Sequence, residues 1–180
     1  AMQRGLENIK TTPLALDAMV SEKSKSLFKR HQVYDESELE ARYEILLENY
    51  TKKIQIESRT MGEMSSTYIL PPAIKYQNIL IENIRGLKEL GLNEYHYESQ
   101  FQILGKISEH INSINKNVKS MIEARKVANK IEDSKERAMA YCFDVKKYFD
   151  HIRYHADKLE LLVDDELWEL PKYRELFFMK

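Results

Sequence analysis

The chain has 180 residues, with 28 basic and 29 acidic side chains and a formal net charge of −1. No overall field therefore draws it to nucleic acid or to an anionic membrane. Four prolines and five glycines are too few for the many turns of an all-β protein. One cysteine, Cys142, can form neither an intrachain disulfide nor a cysteine-rich zinc site, which fits a reducing cytoplasm.

In chain order, residues 3–34 read as short helices. Thr12-Pro13 is a start signal, because proline tolerates the first helical position, and Ser21 can cap a second piece. Ala1-Met2 reads as a cloning remnant, and the abrupt start at Gln3 suggests a piece of something longer. A long helix is expected from Asp35, capped by Asp35 or Ser37. Its apolar line runs Leu39, Tyr43, Leu46, Tyr50, Ile54, Met61, Met64 and Tyr68. Pro71-Pro72 lacks two amide donors, so the helix must kink or restart there. The pattern resumes at Ala73, Tyr76, Leu80, Ile84 and Leu87, and Gly91 is a natural stop.

A third segment, about 94–130, carries Leu104, Ile107, Ile111, Ile114, Val118 and Met121 at alternating steps of three and four. That spacing is a seam for lengthwise helix packing. A fourth, capped by Asp133 or Ser134, runs to about Val163 through Val145, Tyr148, Phe149, Ile152, Ala156, Leu159 and Leu162. Leu170-Pro171 breaks it before a short aromatic tail. The predicted fold is all-α: an elongated antiparallel bundle of three to four long helices, one kinked at Pro71-Pro72, with short helices at both ends.

The best candidate for chemistry is the pair His151 and His155, four residues apart on one helix face. At 100° per residue, Asp157, Glu160 and Asp164 fall on the opposite flank of the apolar line, so they cannot share an ion with the imidazoles. Any third ligand must come from another segment. No His-Glu-x-x-His or Glu-x-x-His occurs, nor any glycine-rich phosphate loop. Cys142 has no histidine within a helical turn to activate it. The reading is no catalytic, cofactor-binding or metal-binding residue in this chain. Tyr154 and Leu161, seven apart and nearly opposite the main line, form a second apolar line. With Tyr173, Phe177 and Phe178 of the tail they are the candidate interface. The residues alone reach a helical interaction or assembly module; an independent protein–protein scaffold fits the same features.

Five stretches narrow the reading: RGLENIKTTPLALDAM, SELEARYEILLENYTKKIQIESR, ILPPAIKYQNILIEN, MIEARKVAN and KLELLVDDELWELPKYRELFF. Together, in this order, they resemble the C-terminal region of type III glutamine synthetases, the large bacterial class. The resemblance implies a parent enzyme that ligates ammonia to glutamate with ATP and Mg2+ or Mn2+, in the cytoplasm, for glutamine biosynthesis and nitrogen metabolism. It implies a homo-oligomeric ring. None of the family's catalytic motifs matches a position here, so the chain alone is expected to be inactive and to hold no cofactor. Residues 3–34 would follow the parent's catalytic domain as a linker with short helices, and 35–180 would form the bundle. The implied partners are that catalytic domain and further copies, with no nucleic acid and no membrane.

Overall fold

The computed structural model describes residues 4–178 except Leu6 and Glu7. Among them the fold is all-α, without a strand: α1 (Thr12–Leu16), α2 (Glu22–Arg30), α3 (Glu36–Met64), α4 (Leu70–Glu89), α5 (Glu98–Ala128), α6 (Ser134–Ala140), α7 (Lys147–Leu162) and α8 (Tyr173–Leu176). None is long and apolar enough to cross a membrane.

The chain divides into two compact units. The first holds residues up to Ser58 together with Met121–Lys147. Here Pro13 stands in the first turn of α1, and Ser21 caps α2 by accepting the Ser24 amide at 3.3 Å. Asp35 is the cap of α3. Its carboxylate accepts the Glu38 amide at 2.8 Å, and Glu38 answers by accepting the Asp35 amide at 3.0 Å. This is a reciprocal capping box, with aspartate in the capping place. The Glu38 amide, then the Ser37 hydroxyl, hold the Asp35 carboxyl below the usual carboxylate range. Asp133 likewise caps α6 through the Glu136 amide at 2.8 Å.

Leu39, Leu47, Ile54, Met121, Ala128, Ala138, Tyr141 and Val145 are the buried apolar residues of α3, α5, α6 and the segment after it in this unit. Tyr141 donates its hydroxyl to Asn129 at 2.6 Å, which pairs the one polar atom of a large buried ring. Asp17 accepts from Tyr43 at 2.7 Å and from Lys135 at 2.9 Å, tying the segment after α1 to α3 and α6. Burial works against that carboxylate, but the Lys135 and Tyr43 bonds hold it below its usual range. Cys142 is half-buried. Burial, then a hydrogen bond with Cys142, pushes the Tyr50 phenol up.

The second unit holds Arg59–Ser120 and the chain from Tyr148 on. Gln77 bonds Ser108 at 2.7 Å and Asn83 bonds Gln100 at 2.6 Å, so α4 and α5 run antiparallel here. The seam on α5 is buried from Ile107 on, with Ile107 and Ile114 fully enclosed, whereas Leu104 at its start is half-buried. Ile152, Leu159 and Val163 are the matching buried line on the last long helix and its end.

The proline pair is accommodated by a local change of helix type. Ser65–Ile69 form a π turn between α3 and α4, and the Leu70 amide reaches back five residues to the Ser65 carbonyl. The wider turn sets Pro71 and Pro72 in the first turn of a restarted α-helix, where missing N–H groups cost least. Ser65 and Ser66 donate their hydroxyls to the Met61 and Gly62 carbonyls at 2.8 and 2.9 Å, holding the turn before it. A second π turn, Tyr141–Val145, joins α6 to α7. No proline marks that one.

The core line of α3 departs from the expected one. Leu46, placed on the line by sequence, is 40% exposed, whereas Leu47 is 1% exposed, and Met64 and Tyr68 are also exposed. The buried line instead runs through Thr51, Ser58 and Ser65. A small hydroxyl can sit in a close helix–helix approach if it bonds a carbonyl of its own helix, as Ser58 does to Gln55 at 2.8 Å. Hydrophobicity alone passes over such positions. Leu47→Ala is therefore expected to cost about 2–5 kcal/mol, and Leu46→Ala less than about 1 kcal/mol, in urea unfolding. Equal costs would contradict this core face.

Candidate functional site

Tyr154 and Leu161 lie on α7, exposed at 56% and 78%. The Tyr154 ring stands edge-on to His155, with centroids 5.1 Å apart, and the Lys158 ammonium lies 5.5 Å from its centroid. Phe177 and Phe178, at the end of α8, are 85% and 84% exposed. The Tyr173 side chain lies outside the described residues. The four described candidates are thus large apolar groups facing solvent on α7 and in the tail.

His151 is exposed on α7 and His155 is half-buried. The residue that meets His155 is His110 of α5, with the two Nδ1 atoms 2.9 Å apart. The ring centroids are 5.2 Å apart, which is about the nitrogen separation plus a ring radius on each side. The nitrogens therefore point at each other head-on, as a shared proton requires. An ion chelated by both would sit off that line. In the neutral pair one ring donates its Nδ1 proton and the other accepts. A first added proton can go to the outer nitrogen of the donor and leave the bond intact; a second sets two N–H groups against each other. Burial chiefly pushes both imidazoles below their ordinary value. Glu109 opposes this at His110 while Lys158 adds to it, and at His155 the His110 and His151 rings add to it. The sequence held little signal for His110, which lies 60° from Ile107 around α5 and 45 residues from its partner.

The tail is anchored by a buried lysine. Lys172 donates to the carbonyls of Glu160 at 2.9 Å and Val163 at 3.4 Å, both at the C-terminal end of α7, and to the Asp165 carboxylate. A cation belongs at that end, where carbonyls lack helical partners. Arg174 also pairs with Asp165. Lys172 first, then Arg174, hold the Asp165 carboxyl below the usual range. Trp168 is buried beside this staple, and its indole N–H has no acceptor among the described residues. Trp168, Leu170, Pro171 and Leu176 line a mostly apolar cleft of about 320 Å³ with Met64 and Ile69. Phe177 and Phe178 are not among its lining residues.

Among the described residues no three histidine, cysteine or acidic side chains gather as metal ligands.

The family model for the glutamine synthetase C-terminal domain matches residues 1–88. The chain is 43% identical over 184 residues to a glutamine synthetase of Bacteroides fragilis (strain YCH46) and 32% identical over 178 residues to one of Butyrivibrio fibrisolvens. It is 29% identical over 183 residues to a type-3 glutamine synthetase of Dictyostelium discoideum, so such relatives are not confined to bacteria. These alignments take in 99–100% of this chain and 25% of each relative. The chain thus spans about a quarter of the length of the curated relatives it matches. Its first 88 residues are similar to the C-terminal domain of glutamine synthetases, and its whole length is similar to a quarter of such enzymes.

The histidine pair sets a pH dependence. Both folded-state values lie below the unfolded value near 6.5, so the unfolded chain binds more protons in that range. The stability is present above about pH 6.5 and is lost as pH falls through the folded values. Thermal unfolding should show a larger fall in Tm from pH 7.5 to 5.0 for the wild type than for the double variant His110→Leu/His155→Leu. Parallel falls would remove the pair as the cause.

Proposed function

From these similarities, we propose that this chain is a non-catalytic helical module of a glutamine synthetase. Its role is to pack against the catalytic domain of the same parent chain and to support assembly of the homo-oligomer. The parent's chemistry would be ATP-dependent ligation of ammonia to glutamate in the cytoplasm, with Mg2+ or Mn2+ held by residues outside these 180. One observation carries the reading: essentially the whole chain aligns with a single quarter of much longer enzymes.

The exposed apolar side chains give that role a physical basis. Leu161, Phe177 and Phe178 each leave more than three-quarters of their surface in water. Covering such groups stabilises an interface by roughly 1.5–3 kcal/mol per side chain. Residues 3–34 would form the linker, with short helices, between the catalytic domain and the module.

Two experiments test this. The purified 180-residue chain is expected to make no glutamine from glutamate, ammonia and ATP; measurable turnover would overturn the non-catalytic reading. In the full-length parent, Leu161→Ser with Phe177→Ser should weaken the oligomer in light scattering and lower activity. The same pair in the isolated chain should move Tm by only a few degrees, because both side chains are already exposed. An unchanged parent oligomer and activity would remove this face from the interface.

A further inference from the structure

We infer that the first unit holds a binding pocket for a small oxyanion, a carboxylate or a phosphate, centred on Arg137. The pocket has a volume of about 300 Å³ and is lined by Glu48, Thr51, Lys52 and Gln55 of α3, by Asn129 just past α5, and by Arg137 of α6. That is the lower end of the size range for small-molecule sites.

The pocket walls hold more hydrogen-bond donors than acceptors. Arg137 is half-buried, and its described contact is one long hydrogen bond, 3.4 Å, to the Ile131 carbonyl. No carboxylate lies within ion-pair distance of it among the described residues. A guanidinium carries five N–H donors and cannot discharge itself, so a half-buried one without a counter-ion is costly. Its planar fork matches carboxylate and phosphate oxygens. Glu48, the only acid in the wall among the described residues, pairs with Lys52 at 3.3 Å, which leaves the wall one positive charge in excess.

Two further groups add to this. Thr51 is 7% exposed, and its hydroxyl is buried without a partner, in a position where a polar atom normally has one. Asn129 accepts through its oxygen from both Gln55, at 3.2 Å, and Tyr141, at 2.6 Å. These bonds fix the amide so that its NH2 remains available. An oxyanion would satisfy the guanidinium and the Asn129 amide together, and would reach the Thr51 hydroxyl once that side chain turns toward the pocket. The role lies apart from the packing function proposed above and does not depend on it.

The test uses the 180-residue chain with sodium phosphate and sodium malonate as separate probes, read by calorimetric titration against sodium chloride at matched ionic strength. Saturable binding of either probe is expected; which one binds distinguishes phosphate from carboxylate. Arg137→Gln should weaken it about tenfold or more, since a charge-assisted hydrogen bond is lost. Lys52→Gln, on an exposed side chain, should weaken it a few-fold, and Lys53→Gln should leave it unchanged. If Arg137→Gln does not fold, the contrast between the two lysine variants decides. Absence of saturable binding, binding unaltered by Arg137→Gln, or equal effects of the two lysine variants would each overturn the inference.

Discussion

Each long helix of this chain buries one narrow line of residues, and such a helix persists in water only while that line is covered. On α5 the line is strict: Ile107, Ile111, Ile114, Val118 and Met121 are all buried. The caps at Asp35 and Asp133 and the antiparallel bonds between α4 and α5 set where helices begin and which way they run. Burial of the lines makes them stable. The same requirement motivates the partner proposed for Leu161, Phe177 and Phe178, which are left in water.

Both π turns serve this constraint in different ways. At Ser65–Ile69 the backbone must pass two residues without amide hydrogens, and a turn bonded to the fifth residue back lets a new α-helix start at Leu70. At Tyr141–Val145 no proline is involved. There the Lys146 amide reaches the Tyr141 carbonyl, while Tyr141 and Val145 are both fully buried. An extra residue in one turn rotates everything beyond it around the helix axis.

Sequence reasoning reached the helices and most caps, because periodicity and capping are local signals. The α5 seam was legible since its residues are large and unambiguously apolar. The α3 line was misplaced at Leu46 because its true course uses Thr51, Ser58 and Ser65, whose burial depends on how closely a neighbouring helix approaches. The interruption at Pro71-Pro72 was expected, but its form was not, since a missing amide does not say how the backbone will compensate. His110 and His155 were separately visible, yet only tertiary packing sets them nose to nose. The Arg137 pocket was similarly hidden: on its own helix Arg137 reads as one charge among many, and what distinguishes it is the carboxylate that packing fails to supply.

The similarity to glutamine synthetases gives these features a setting, since this chain matches one quarter of relatives that are far longer. The most direct measurement is hydroxyl-radical footprinting of Tyr154, Phe177 and Phe178 in the isolated chain and in the full-length enzyme. The account requires strong labelling of all three in the isolated chain and marked protection of them in the parent. Equal labelling in both would contradict it.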